Sequence, residues 1–350
     1  MTRLALVMIA RDEASSIGRA LESARGHVDR MIVLDTGSLD DTAAIARACG
    51  AEVHEFAWCD DFAAARNAAL AHSDAAWNLV LDADEWIEGG AEALGPETLP
   101  AAAAGFLGEV RIGSRMDAGG VEGIGSVWIA RLLPGAVRYA GRIHEQPVSD
   151  LPRRRLPLDI GHDGYTAENL ARKGARNETL LMRELEAAPH DPYLWFQLGK
   201  EHQARGRGPQ AAVCFTEALR LAPADVGWRH ALVVRTLIAL KADGRLAEAL
   251  EFADAEVANW LSSPDFYFVI GDLYLEAAAQ EPDRALNDFL PVVESAWKRC
   301  LEIGERPDLD GSVIGRGSYM AAHNLAVFYG TLGLAAQAAE YEAMAARLRR

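Results

Sequence analysis

Over the first 85 residues, short apolar runs alternate with stretches of helical spacing. Leu4–Ala10 reads as a strand, and Ser15–Ala24 as a helix with Ile17, Ala20, Leu21 and Ala24 on one face. Met31–Leu34 then reads as strand, Asp40–Cys49 as helix, Ala51–Phe56 as strand, Asp61–Ala71 as helix and Trp77–Leu81 as the fourth strand. This alternation predicts a parallel, doubly wound sheet with right-handed crossovers. Between 86 and 165 the pattern is mixed. Ala91–Ala104, rich in Ala and broken by Pro, reads as a surface excursion, and Gly108–Ile112, Val127–Leu133 and Val137–Tyr139 read as strands. The Gly123-Ile124-Gly125 stretch reads as a turn.

From 166 onward the periodicity is helical and repeats itself. Trp195, Leu198, Gly199, His202, Ala211, Phe215, Ala218 and Pro223 have the spacing of a tetratricopeptide repeat, with Gly206 at the turn. Tyr267, Ile270, Gly271 and Tyr274 repeat its first half, as do Leu325, Ala326, Tyr329 and Ala338 near the end. Leu232 to Leu250 is a weaker copy, and 280–310 carries an insertion. Each pair needs neighbours to bury its apolar faces, so the copies predict a stack. Two domains follow, 1–165 and 166–350, each long enough to hold its own core.

Composition narrows the function. A net charge of −16 argues against nucleic acid as a partner, though one local metal and an Arg can still favour a nucleotide in a single cleft. Cys49, Cys59, Cys214 and Cys300 show neither CxxC nor metal spacing, so reduced thiols are expected. No apolar run approaches a membrane span, and Arg11-Asp12-Glu13 stands where a signal peptide would need a cleavage site. A cytoplasmic protein is expected, with peripheral attachment to an inner membrane left open.

The chemistry concentrates at strand ends. Asn78-Leu79-Val80-Leu81 runs into Asp82-Ala83-Asp84-Glu85, which puts carboxylates at the end of a sheet where open α/β folds bind ligands. Two Asp separated by one residue can aim hard oxygens at one Mg2+ or Mn2+ completed by phosphates. Asp35 ends the second strand in the same way, before Thr36-Gly37-Ser38 and the cap candidates Ser38 and Asp40. A capped turn explains those neighbours but leaves Asp35 itself for the ligand crevice. Asp60 or Asp61 can cap the next helix, and Arg66, flanked by alanines, has room to reach across. The first strand is followed by neither GxGxxG nor GKS/GKT, so dinucleotide and P-loop chemistry are not expected.

In order, Ala10-Arg11-Asp12-Glu13, Leu34-Asp35-Thr36-Gly37-Ser38-x-Asp40-x-Thr42, Ala65-Arg66-Asn67 and Asp82-Ala83-Asp84 resemble a family 2 glycosyltransferase of the GT-A fold. More narrowly, the chain is similar to the bacterial branch with C-terminal tetratricopeptide repeats, which includes lipopolysaccharide-core and peptide S-glycosyltransferases. The resemblance implies an α/β GT-A domain, Rossmann-like with a mostly parallel sheet, followed by an all-α tetratricopeptide-like domain. It implies that Asp35 bonds the base of a nucleotide-sugar, uridine diphosphate first, with the backbone at Ala10 and Arg11 as the pocket wall. Arg66 would approach base and diphosphate, Asp82 ribose or metal-bound water, and Asp84 would ligate Mn2+ or Mg2+. Glu85 has no role in that motif and reads as a solvated bystander.

The resemblance further implies a base in an acidic motif after the middle strands. Glu145 in Arg142-Ile143-His144-Glu145 matches best, with Asp163 next, although His-Glu departs from the usual Asp-Asp pair. A late His often adds a metal ligand. His162 is placed for it and His144 competes. The function implied is metal-dependent, inverting transfer of a sugar to a peptide, protein or saccharide acceptor. The repeats would hold that acceptor or form a homodimer interface. The competing expectation is an inactive nucleotide-binding domain fused to a repeat scaffold for protein partners.

Overall fold

The computed structural model describes residues 2–100, 105–117, 122–162 and 167–349. The chain divides into two compact units, Met1–Arg115 with Val127–Leu180, and Met116–Ser126 with Leu181–Arg350. The first unit runs on to Leu180, and residues 116–126 group with the second.

In the first unit the order is β1 (Leu4–Ala10), α1 (Ile17–Ala24), β2 (Arg30–Asp35), α2 (Thr42–Ala48), β3 (Glu52–Glu55), α3 (Phe62–Ala71) and β4 (Trp77–Val80). There follow β5 (Glu85–Gly89), β6 (Leu107–Asp117), β7 (Glu122–Pro134), β8 (Arg138–Ala140), β9 (Gln146–Val148) and β10 (Arg153–His162), then α4 (Ala167–Ala187). The main sheet runs β3-β2-β1-β4-β7-β6-β10-β5, and β8 pairs with β9 apart from it. Strand β1 is parallel to β2 and β4, and β2 is parallel to β3. The expected parallel half is thus present. Beyond β4 the sheet is mixed: β7 is antiparallel to β4, β10 parallel to β6, and β5 antiparallel to β10.

The reason β1 reads as an unbroken apolar run is that both faces of the sheet are covered. Leu4, Leu6 and Met8 enter one core with Ile17, Leu21 and Trp77, while Ala5 and Val7 enter a second with Leu70 and Ala63. The Gly123-Ile124-Gly125 stretch is a correction: it lies within β7, not in a turn. A glycine can sit in a strand where backbone must approach closely, so Gly alone was a weak turn signal.

The second unit is built of helices α5 (Pro192–Ala204), α6 (Gly208–Leu221), α7 (Arg229–Ala242), α8 (Leu246–Glu256) and α9 (Pro264–Gln280). After the turn α10 (Pro282–Arg284) and a π-helical turn at Ala285–Phe289 come α11 (Leu290–Ile303), strand β11 (Ser312–Ile314), α12 (Tyr319–Thr331) and α13 (Ala335–Leu348). The repeat positions are the packing positions. Ala211, Phe215 and Ala218 of α6 are fully buried, and a Cβ on Gly199 would come within 2.4 Å of the Phe215 ring. Gly271 meets Trp297 in the same way at 2.3 Å. The left-handed backbone of Gly206, at φ +67°, turns α5 into α6. The stretch 280–310 holds α10, the π-helical turn and α11, and β11 pairs antiparallel with residues 124–126.

Candidate active site

Strands β1 and β2 deliver two loops that are laced together. Ala10 lies beside Asp35 in register, and its carbonyl accepts the N–H and the hydroxyl of Thr36 at 2.9 and 3.1 Å. Asp12, at φ +53°, donates its N–H to Ser38 Oγ at 3.0 Å and accepts the Leu39 N–H at 2.7 Å. Glu13 N donates to Thr42 Oγ1 at 2.8 Å, and Ala14 N to Asp40 at 3.1 Å. A non-glycine residue in left-handed backbone survives only where surrounding bonds over-determine it, as these do.

Asp35 Oδ1 accepts both the N–H and the hydroxyl of Ser38, at 3.0 and 2.7 Å, so the turn engages one of its two carboxylate oxygens. Neither Ser38 nor Asp40 caps α2; Asp40 Oδ1 instead accepts from Thr42 N at 3.0 Å, and Asp41 stands at the cap. Arg11 is exposed, with its Nε 4.0 Å from the Asp12 carboxylate.

Helix α3 begins at Asp61, whose carboxylate accepts the Ala64 N–H at 2.8 Å. Ala63, Ala64 and Ala65 follow Phe62, and Arg66 next after them is buried. Asn67 bonds the backbone of Tyr139 twice, at 2.8 and 2.9 Å, and Phe62 N donates to the Arg142 carbonyl at 2.8 Å. These bonds tie α3 to the segment that brings Glu145 up to Arg66. Left-handed residues Gly141 and His144, at φ +94° and +51°, shape that segment.

The result is an alternating chain of charges: Glu145, Arg66, Asp82, Arg131, Glu85. Arg66 Nε donates to Glu145 Oε1, and its Nη2 to Asp82 Oδ1 at 2.6 Å. Arg131 Nη2 donates to Asp82 Oδ2 at 2.8 Å and to Glu85 Oε1 at 2.6 Å. The side chains of Arg66, Glu145, Arg131 and Glu85 are 7, 8, 8 and 4% exposed, while that of Asp82 is 35% exposed. Burial would push the Asp82 carboxyl up, but Arg131 and Arg66 outweigh it and hold it well below the usual carboxylate range. Burial dominates at Glu85 and pushes its carboxyl up against the pull of Arg131. Glu85 is therefore no solvated bystander.

The 82–85 turn closes on itself, Glu85 N donating to the Asp82 carbonyl and Asp82 N to Glu85 Oε2, both at 3.0 Å. Strand β5 then pairs with β10 so that His162 faces Glu85 in register. Packing pins this register: a Cβ on Gly161 would stand 2.4 Å from the Trp86 ring. His162 Nε2 consequently lies 3.6 Å from Asp84 Oδ2. Burial disfavours the imidazolium, yet the hydrogen bond and charge of Asp84 prevail and raise the His162 pKa. Asp163 lies outside the described residues.

Two ligands at about 2.1 Å from one ion stand roughly 3–3.6 Å apart, so Asp84 and His162 have the spacing and chemistry for a divalent cation. Among the described residues no group of three or more His, Cys, Asp or Glu is gathered for a metal. Two protein donors leave coordination positions for phosphate oxygens, and both Asp82 oxygens are taken by arginines.

Sequence reasoning passed over Arg131, Tyr139 and the role of Glu85. Tyr139 Oη is buried with no partner among the described residues, beneath the Arg66 guanidinium, which lies 5.5 Å from the ring. Arg131 did leave a signal, a lone charge inside the apolar strand Ala130-Arg131-Leu132-Leu133.

Residues 5–91 match the family model of Glycosyl transferase family 2. Over 208 residues the chain is 28% identical to the SPbeta prophage-derived glycosyltransferase SunS of Bacillus subtilis, covering 55% of this chain and 48% of that protein. An 85-residue stretch is 53% identical to a TPR repeat-containing protein of Synechococcus elongatus, covering 24% of this chain and 21% of the relative. The chain thus spans less than half the length of these curated relatives. Among solved structures, MamA from Desulfovibrio magneticus aligns over 52% of this chain and 90% of that one, at 17% identity and TM-score 0.40. Glucosyl-3-phosphoglycerate synthase from Mycobacterium tuberculosis, in complex with Mn2+ and UDP, aligns over 34% of this chain and 45% of that one, at 25% identity and TM-score 0.26. By its family match, the segment 5–91 is a glycosyl transferase family 2 domain, which the chain joins to a stack of tetratricopeptide-type helical pairs.

Proposed function

We propose that the protein is a metal-dependent, inverting glycosyltransferase that moves a sugar from a nucleoside-diphosphate sugar, a UDP-sugar first, to a peptide, protein or saccharide acceptor. The catalytic domain is assigned to 1–165 and the repeats that hold the acceptor to 166–350. The observation that carries this reading is Asp84 beside His162 at 3.6 Å, next to the buried chain from Glu145 to Glu85, in a chain whose first strands match the family.

Asp84 and His162 would hold Mn2+ or Mg2+ against the diphosphate. When bound, the cation supplies charge neutralisation of the leaving diphosphate. Ala10 and Arg11 would wall the base pocket, with Asp35 fixing its turn and turning its edge to the base. Arg66, Asp82 and the loops laced at Asp12 and Ser38 would position the donor. Glu145 takes the proton of the acceptor hydroxyl or thiol as that atom bonds the anomeric carbon from the far side. The bond from that carbon to the diphosphate breaks, and the electron pair leaves with the diphosphate. Because Glu145 Oε1 is engaged by Arg66, donor and acceptor must meet at the edge of this ion chain.

The test is a hydrolysis and transfer screen over nucleoside-diphosphate sugars with Mn2+ or Mg2+, with Asp84→Ala as the control. Turnover that Asp84→Ala leaves unchanged removes the metal assignment. Absence of turnover together with absence of any nucleotide-dependent thermal shift favours the scaffold reading.

A further inference from the structure

We propose that Arg131 is a positioning residue of the diphosphate–metal centre: it binds Asp82 and Glu85 at once, keeps both off the cation, and leaves Asp84 to take it. This rests on the metal-dependent transfer proposed above.

The turn 82–85 carries three carboxylates within four positions, and a cation offered all three would have fewer sites left for phosphate oxygens. The structure sorts them. Both Asp82 oxygens are engaged, Oδ1 by Arg66 at 2.6 Å and Oδ2 by Arg131 at 2.8 Å. Both Glu85 oxygens are engaged too, Oε1 by Arg131 at 2.6 Å and Oε2 by the Asp82 N–H at 3.0 Å. Asp84 is directed to His162 instead. One nitrogen, Arg131 Nη2, makes both of its carboxylate contacts, so moving it frees one oxygen of each acid together.

The fold alone gives no reason for a charge at this position. Leu133, two residues on along the same strand face, is 0% exposed, and an apolar side chain at 131 would continue that face. Replacing buried ion networks by packed apolar groups is often neutral or stabilising. Arg131 Nε is moreover buried with no partner among the described residues, a cost that a residue kept only for stability would not carry. Its side chain is instead placed so that Nη2 reaches both acids.

The decisive experiment compares Arg131→Met and Arg131→Lys in the full chain, reading Mn2+ affinity without donor, donor KM and kcat separately, and melting temperature. Removing the guanidinium frees Asp82 Oδ2 and Glu85 Oε1 and leaves the turn more negative. Arg131→Met should therefore bind Mn2+ about tenfold tighter, while kcat falls about a hundredfold through misplacement of the diphosphate. Arg131→Lys keeps the charge but not the fork. It should return Mn2+ affinity to within about threefold of wild type and recover kcat only in part. Mn2+ affinity falling along with kcat in Arg131→Met would mark a merely structural role and overturn the proposal, as would two variants with wild-type kcat. If Arg131→Met does not fold, Arg131→Lys decides alone: reduced kcat at unchanged Mn2+ affinity and melting supports the assignment, and wild-type kcat overturns it. A wild-type protein that turns over no donor removes the transferase reading itself, whereas an active wild type indifferent to Arg131 removes only this inference.

Discussion

Replacing Arg66 by Met should destabilise the first unit by about 3–5 kcal/mol, because it strands a buried carboxylate. Arg66 and Glu145 are 7 and 8% exposed in their side chains, so neither has water to replace the lost partner. Asp82 adds little to the sum. Its side chain is 35% exposed and keeps Arg131, so solvent screening leaves about 0–1 kcal/mol on that side. The structure therefore predicts that the loss is repaired from the other end. Glu145→Gln in the Arg66→Met background removes the stranded charge, and the double variant should fall short of the summed single losses by about 1–3 kcal/mol. A chain with two compact units need not unfold in one step, so the readout is local. Hydrogen exchange of α3 and β8 amides is followed against urea for wild type, both singles and the double. Additivity to within about 0.5 kcal/mol would refute the reasoning, since it would mean that Arg66 and Glu145 do not meet in solution.

Two further outcomes follow from burial elsewhere. Cys59 is exposed, whereas Cys214 and Cys300 are buried and burial pushes the Cys300 thiol up; a thiol reagent should label Cys59 at once and the other two only on unfolding. Prompt labelling of Cys300 in the native protein would contradict the packing of α9 on α11. Burial, with Arg235 adding to it, pushes the Lys200 ammonium down to about 8, against about 10.4 in an unfolded chain. The folded state thus disfavours the charge. The penalty is full below pH 8 and is relieved as pH rises from about 8 to about 10.4. Lys200→Met removes it, so the stability gap between this variant and wild type should narrow between pH 7 and pH 9.5, as read by urea midpoints of the second unit. A gap constant across that range would mean that Lys200 is solvated.

What the sequence determined by itself was local. Apolar runs covered on both faces made β1, β2 and β4 legible as buried strands, and Asp60-Asp61 announced the start of α3, with Asp61 making the cap, because a cap needs only the N–H three residues on. Repeat spacing put Gly199 and Phe215 at marker positions of the repeat, and in the structure they pack together, since a close helical approach requires a small residue opposite a large one. Carboxylates after strand ends marked the crevice, because parallel strands end together at one sheet edge.

Only the tertiary structure decided which charges meet. Asp35 was read as facing a ligand, and the structure adds a hydroxyl three residues away that engages one of its oxygens. Glu85 looked like solvated excess because nothing near it in sequence opposes it. Its partner Arg131 lies 46 residues away on a strand inserted next to β4. Glu145 finds Arg66 across 79 residues, and His162 reaches Asp84 through the antiparallel register of β10 on β5. Turns and caps are written in neighbouring residues because their forces act over one or two peptide units. Strand order follows from burying whole faces at once, and with it the chain of ions that runs from Glu145 to Glu85 and the Asp84–His162 pair beside it.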